Sequence, residues 1–225
     1  MGTVIGELLP FALGIAISPL PIIVVILTLL SPKARTSSVG FLSGWLVGIL
    51  VVIVTLTALS TFLPAHNASG PSIWEGVIKL VLGALLLFLA GRQWRKRPAN
   101  GEIPPLPGWM QKVDGLGFGG ALRLGLFLSV VNPKNIIFST TVAVDLGTSG
   151  LALDGIVVGI VLFTSIAAST VLVPVIAYLV AASRLRAPLE SLHAWLVREN
   201  HTIMCVLFLV LGFSAIGNGL AAMWP

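Results

Sequence analysis

The sequence predicts an all-α integral membrane protein of six transmembrane helices, arranged as two inverted three-helix repeats. Three observations predict it. First, 56% of the 225 residues are hydrophobic and only 9% are charged, against about a quarter charged in a soluble domain. So few charges cannot coat a water-facing surface, and the mean hydropathy is +1.05. Second, six apolar stretches, at roughly 4–30, 38–63, 73–91, 119–142, 152–182 and 202–223, are each close to or above the ~20 residues that span a bilayer. Third, the basic residues between these stretches fall in alternate connections.

Taken in order, the first stretch is interrupted at Pro10, Pro19 and Pro21, the fourth at Pro133 and the fifth at Pro174. The first lacks a basic leader and carries Glu7, so it reads as a retained helix rather than a secretory signal. The first connection holds Lys33 and Arg35. The third holds Arg92, Arg95, Lys96, Arg97 and Lys112, with Arg123 just beyond it, and the fifth holds Arg184, Arg186 and Arg198. The second and fourth hold no Lys or Arg. Basic loops stay cytoplasmic, which predicts a multi-pass protein of the inner (plasma) membrane with both termini outside. The net charge of +5 then records topology and contact with anionic membrane lipids, not nucleic-acid binding. The single cysteine, Cys205, excludes a disulfide within the chain.

The chain reads as one transmembrane domain, 1–225. Its first repeat is about 1–91, its cytoplasmic linker about 92–118 and its second repeat about 119–225. Leu80-Val81-Leu82-Gly83 in the third stretch returns as Leu209-Val210-Leu211-Gly212 in the sixth. Gly40 and Gly44 open the second stretch as Gly155 and Gly159 open the fifth, and Gly14, Ser18 and Pro21 in the first are echoed by Gly125, Ser129 and Pro133 in the fourth. Three helices are an odd number, so the second repeat must enter from the opposite face. Inverted repeats with broken helices at matching positions are a transporter architecture, with the substrate at the midplane. The glycines four apart read as close helix packing.

Two motifs carry the candidate chemistry. Ser18-Pro19-Leu20-Pro21 removes two backbone donors inside a span, and the freed carbonyls must face protein or a wet cavity. A simple proline kink is the competing reading. Asn132-Pro133-Lys134-Asn135 sits inside the apolar run 127–144. A Lys at the bilayer centre costs about 3 kcal/mol or more on insertion scales. Lys134 and the two amides are therefore expected to face a polar cavity, the alternative being a Lys134 that snorkels to the interface. Asp145 either gates the outer mouth or pairs with a cation, or else is an interfacial loop acid, and Asp154 reads as the last of these. Glu75 and Lys79, four apart, read as a structural ion pair. His66, His193 and His201 are isolated, and the chain has no P-loop, no zinc-protease motif and no dinucleotide fingerprint. No metal, no cofactor and no enzymatic activity are expected.

Segments 12–48 and 128–138, with their S-P-x-P and N-P-K-N elements, resemble the LysE superfamily of exporters, and within it the glycolipid-addressing (GAP/Sap) proteins of actinobacteria. The resemblance covers nearly the whole chain. It implies export or flipping of a cell-envelope lipid, glycolipid or lipid-linked precursor with an anionic or sugar head. It also implies a substrate site at Ser18, Pro19, Pro21, Asn132, Pro133, Lys134 and Asn135, to which the residue reading adds Asp145. A small-solute, amino-acid-like exporter and a non-transporting scaffold for envelope synthesis are the alternatives. Expected partners are a lipid or glycolipid substrate, membrane lipids, and a second copy of the chain or an envelope-synthesis protein.

Overall fold

The computed structural model describes residues 2–62, 73–97 and 110–223, and every regular element among them is helical. The helices are α1 (Gly2–Ala16), α2 (Pro19–Leu30), α3 (Ala34–Ser60), α4 (Ile73–Arg95), α5 (Phe118–Val130) and α6 (Pro133–Thr148), with a 3-10 turn at Met110–Gly115. The helical stretch Leu153–Met223 bends at Ala181 (φ −140°, ψ 48°) into α7 (Leu153–Ala181) and α8 (Leu185–Met223).

Four of these helices have a segment long and apolar enough to cross a membrane. The pairs α1–α2 and α5–α6 bend by 49° and 60° at their junctions, and the spans number up to six if each bent pair is one. Val51, Val81, Phe88, Phe127, Val161, Val180, Val210 and Phe213 point outward and are more than half exposed. Helices of this length with such an outer surface make a multi-pass membrane protein.

Small residues set the packing. A side chain on Gly44 would fall on the carbonyl oxygen of Leu122, and one on Gly125 on that of Phe41, so α3 and α5 run parallel in backbone contact. Helices α4 and α8 run antiparallel, Gly76 against Gly219 and Gly83 against Gly212. Phe138 of α6 is the hub of the interior. Its ring centroid lies 6.0 Å from that of Phe11 on α1 and 6.3 Å from that of Phe208 on α8.

Several expectations are corrected. Pro10 and Pro174 do not interrupt their helices; α1 and α7 run through them, and the bend near the second falls at Ala181 instead. The fifth connection is not a loop. Helix α8 begins at Leu185, with Pro188 in its first turn, where a missing N–H removes no helical bond. The third connection is shorter than read, because α4 continues through Arg95. His66, read as isolated, lies outside the described residues.

Candidate functional site

The two prolines of the first motif start a helix rather than kink one. Helix α1 closes with bonds from Ile17 N to Leu13 O (2.8 Å) and from Ser18 N to Ile15 O (3.2 Å). Ser18 sits at φ −59°, ψ 120°, the extended conformation forced on a residue before proline. Pro19 and Pro21 then fall in the first turn of α2, where proline removes no intrahelical bond. The freed carbonyl of Ala16 accepts from Thr170 Oγ1 of α7 at 2.5 Å. The break is thus stabilised by a neighbouring helix, as the absence of water in hydrocarbon demands.

The second break is built the same way from different groups. Asn132 caps α6, its Oδ1 accepting from Lys134 N at 3.3 Å, and Pro133 takes the first helical position. Asn135 Nδ2 donates back to Ser129 O at 3.2 Å, satisfying the end of α5. The amides therefore divide their work. Asn132 borders a cavity, whereas the amide nitrogen of Asn135 holds the break closed.

The two breaks meet at a cavity of about 220 Å³. Ser18 and Leu20 line it from the first break, Asn132, Pro133 and Lys134 from the second, and Gln93 and Asn200 from α4 and α8. Lys134 is 4% exposed, and its Nζ finds no hydrogen-bond partner among the described residues. The ammonium lies over the face of Phe138, 5.9 Å from the ring centroid. The hydroxyl of Ser18, a residue 1% exposed, also lacks a partner among the described residues. The N-termini of α2 and α6 both start at this cavity, and their macrodipoles add positive potential to the ammonium. The arrangement can hold an anion, with amides and a hydroxyl for neighbouring polar groups.

The structure brings Ser18, Asn132, Pro133 and Lys134 to one cavity, and the snorkelling alternative for Lys134 is not what it shows. Pro19 and Pro21 are buried behind the site as the start of α2. Asp145 lies elsewhere. It is eleven residues on from Lys134 along α6, roughly 16 Å by helical rise, and it is no loop acid. Its side chain is 1% exposed and paired with Lys79 Nζ of α4 at 2.5 Å. Lys79 thus pairs between helices, while the Glu75 side chain of the expected Glu75–Lys79 pair lies outside the described residues. Asp154, read as an interfacial loop acid, is exposed but sits in the first turn of α7. Among the described residues no cluster could hold a metal ion.

Two polar residues of the cavity are not among the sequence candidates: Gln93 falls in the 92–118 linker and Asn200 just before the sixth stretch. Both are helical, and His201 Nδ1 donates to Gln93 Oε1 at 2.8 Å, tying α8 to α4 beside the cavity. Their signal was position. Each lies two residues, about half a turn, beyond its apolar stretch, on a helix that continues past that end.

A family model described as Sap, sulfolipid-1-addressing protein, matches residues 8–221. No curated protein and no solved structure matches the chain. The matched range contains both helix breaks, Lys134 and every residue lining the cavity, and the chain belongs to the Sap, sulfolipid-1-addressing protein family.

Proposed function

We propose that the chain is a transporter or flippase that exports a cell-envelope lipid or glycolipid, with its anionic or sugar head held at Lys134. The observation that carries the reading is the Lys134 ammonium, buried in a polar cavity with no protein partner among the described residues. An uncompensated buried charge is costly and is retained in membrane proteins for function. A compact ammonium suits a sulfate or phosphate as a point charge, and the amides of Asn132, Gln93 and Asn200 suit sugar hydroxyls. The family description names a sulfolipid, which fits this chemistry.

Transport also fits the architecture we read here: six spans, with α1–α2 and α5–α6 each counted as one, in two inverted repeats. Supporting it, both bent pairs break at a proline-opened half-helix, and the matched glycines of the third and sixth stretches contact one another reciprocally. Broken helices that meet at a binding site between inverted repeats allow alternating access by rocking of the repeats.

The test is export of the envelope lipid in cells, at matched protein levels. Lys134→Ala is expected to abolish export and Lys134→Arg to restore it only in part, because a planar fork does not reproduce a compact ammonium. Normal export by Lys134→Ala would refute the assignment.

A further inference from the structure

We infer that the apolar groove between α1 and α8 holds an acyl chain of the same molecule whose head occupies the Lys134 cavity. The inference rests on the head-binding reading above and names the substrate as a single amphiphile bound across two chambers.

The groove encloses about 590 Å³ and is lined mainly by apolar side chains, among them Leu13 and Ile17 of α1 and Ile203, Val206 and Val210 of α8. Leu13, Ile17, Val206 and Val210 are 47%, 49%, 55% and 61% exposed, so the groove is open on the membrane-facing surface. It runs along α1 from Pro10 to Ile17, about 12 Å by helical rise.

Its position relative to the polar cavity carries the argument. At the end of α1, Ile17 lines the groove and the next residue, Ser18, lines the cavity. On α8, Asn200 and Met204 line the cavity while Ile203 and Val206 line the groove, so the chambers occupy adjacent faces of one helix. The Phe138 ring approaches both. A side chain on Gly14, in the groove wall, would stand 2.9 Å from Phe138 Cε2, and the face of the same ring lies 5.9 Å from the Lys134 ammonium. Gly14 lets the wall be shallow enough for Phe138 to back it. An amphiphile with its head at Ser18 and Lys134 thus has an apolar channel beginning one residue away, open to the hydrocarbon its tail must not leave.

The experiment uses the full chain in lipid nanodiscs. The probe is a sulfated galactosylceramide with a diazirine in its acyl chain, and the comparator is the unsulfated lipid with the same chain. Labelled residues are mapped by mass spectrometry after illumination. The expected result is label concentrated on the groove segments 10–17 and 202–211. It falls about tenfold with the unsulfated lipid and in Lys134→Ala, the effect of losing one charge-assisted contact. Val206→Trp, which fills the groove from an exposed position, is expected to remove this label as well. Equal groove labelling by both lipids and by Lys134→Ala would make the groove ordinary lipid-facing surface and overturn the inference. Sulfate-dependent and Lys134-dependent label appearing elsewhere would overturn it while leaving the head site standing. Labelling indifferent to sulfate at every position would overturn both.

Discussion

Gly83 of α4 and Gly212 of α8 meet backbone to backbone, and the contact is reciprocal. A Cβ on Gly83 would stand 2.9 Å from Gly212 O and 2.6 Å from Ile216 Cγ1. A Cβ on Gly212 would stand 3.2 Å from Gly83 O and 2.8 Å from Leu87 Cδ2. Ile216 is four residues after Gly212 and Leu87 four after Gly83, so each helix presents the same local surface to the other. That is the pattern a two-fold axis between the helices produces.

Substitution at either glycine should therefore do similar damage. Gly83→Val and Gly212→Val are each expected to destabilise the fold by about 1–3 kcal/mol, the usual cost of overpacking. Thermal unfolding of the purified protein in detergent measures both. A large loss from one and none from the other would contradict the reciprocal contact.

The Ala16–Thr170 hydrogen bond makes a second prediction. Thr170→Val keeps the side-chain shape and removes the hydroxyl that satisfies the Ala16 carbonyl at the first break. Loss of about 1–3 kcal/mol is expected, because a buried acceptor is left without its donor. Hydrogen exchange at Ile17 and Ser18 should rise with it, as the end of α1 loosens. Unchanged stability and exchange would mean that this bond does not hold the break.

Both breaks were legible in the sequence because proline acts locally. The helical conformation is disfavoured before proline, and Ser18 and Asn132 take extended backbone there and start their helices, although the residues before Pro10 and Pro174 stay helical. The burial of Lys134 was legible for a similar reason, since a charge inside an apolar run leaves few places to go. What was not legible depended on partners distant in sequence. Lys79 has a helical neighbour four residues away in Glu75, yet its pairing with Asp145 spans 66 positions and is set only when α4 meets α6. Asn135 read as a ligand amide because nothing in the sequence shows that Ser129 O needs its donor. Gln93 and Asn200 were hidden by polar flanks that looked like loops, since hydropathy cannot mark a helix end that projects beyond the apolar span.

The Lys79–Asp145 pair predicts a difference between single and double substitution. Asp145→Leu or Lys79→Met alone removes a counter-charge from a pair no more than 3% exposed, and about 3–5 kcal/mol of destabilisation is expected. The double variant replaces both charges with apolar side chains and should recover most of that loss. A double-mutant cycle of unfolding measures it. Additive losses would show that the pair is not energetically coupled.

Orientation is tested by cysteine labelling in a Cys205→Ala background. Basic residues fall in alternate connections along the sequence, which predicts position 96 in the cytoplasm and position 67 outside. A membrane-impermeant maleimide applied to intact cells should therefore modify a cysteine introduced at 67 and spare one at 96. The reverse pattern would invert the protein in the membrane, and with it the direction in which the Lys134 cavity opens.

Lys134 should show function and stability in opposition. Lys134 is 4% exposed and its ammonium lacks a hydrogen-bond partner among the described residues, none of which compensates it in the empty protein. Lys134→Met keeps an unbranched stem of similar length beside Phe138 and removes the charge. On insertion scales, a Lys at membrane depth costs about 3 kcal/mol relative to an apolar residue. The variant is therefore expected to be more stable than the parent by up to roughly that amount, while losing export. A substrate that binds only the folded protein should raise the melting temperature of the parent and leave that of Lys134→Met unmoved. The two measurements answer different questions. A stabilised but inactive Lys134→Met identifies a residue held against its own desolvation for the sake of a ligand. A destabilised variant would mean that Lys134 has a structural partner, and the anion site would have to be sought elsewhere.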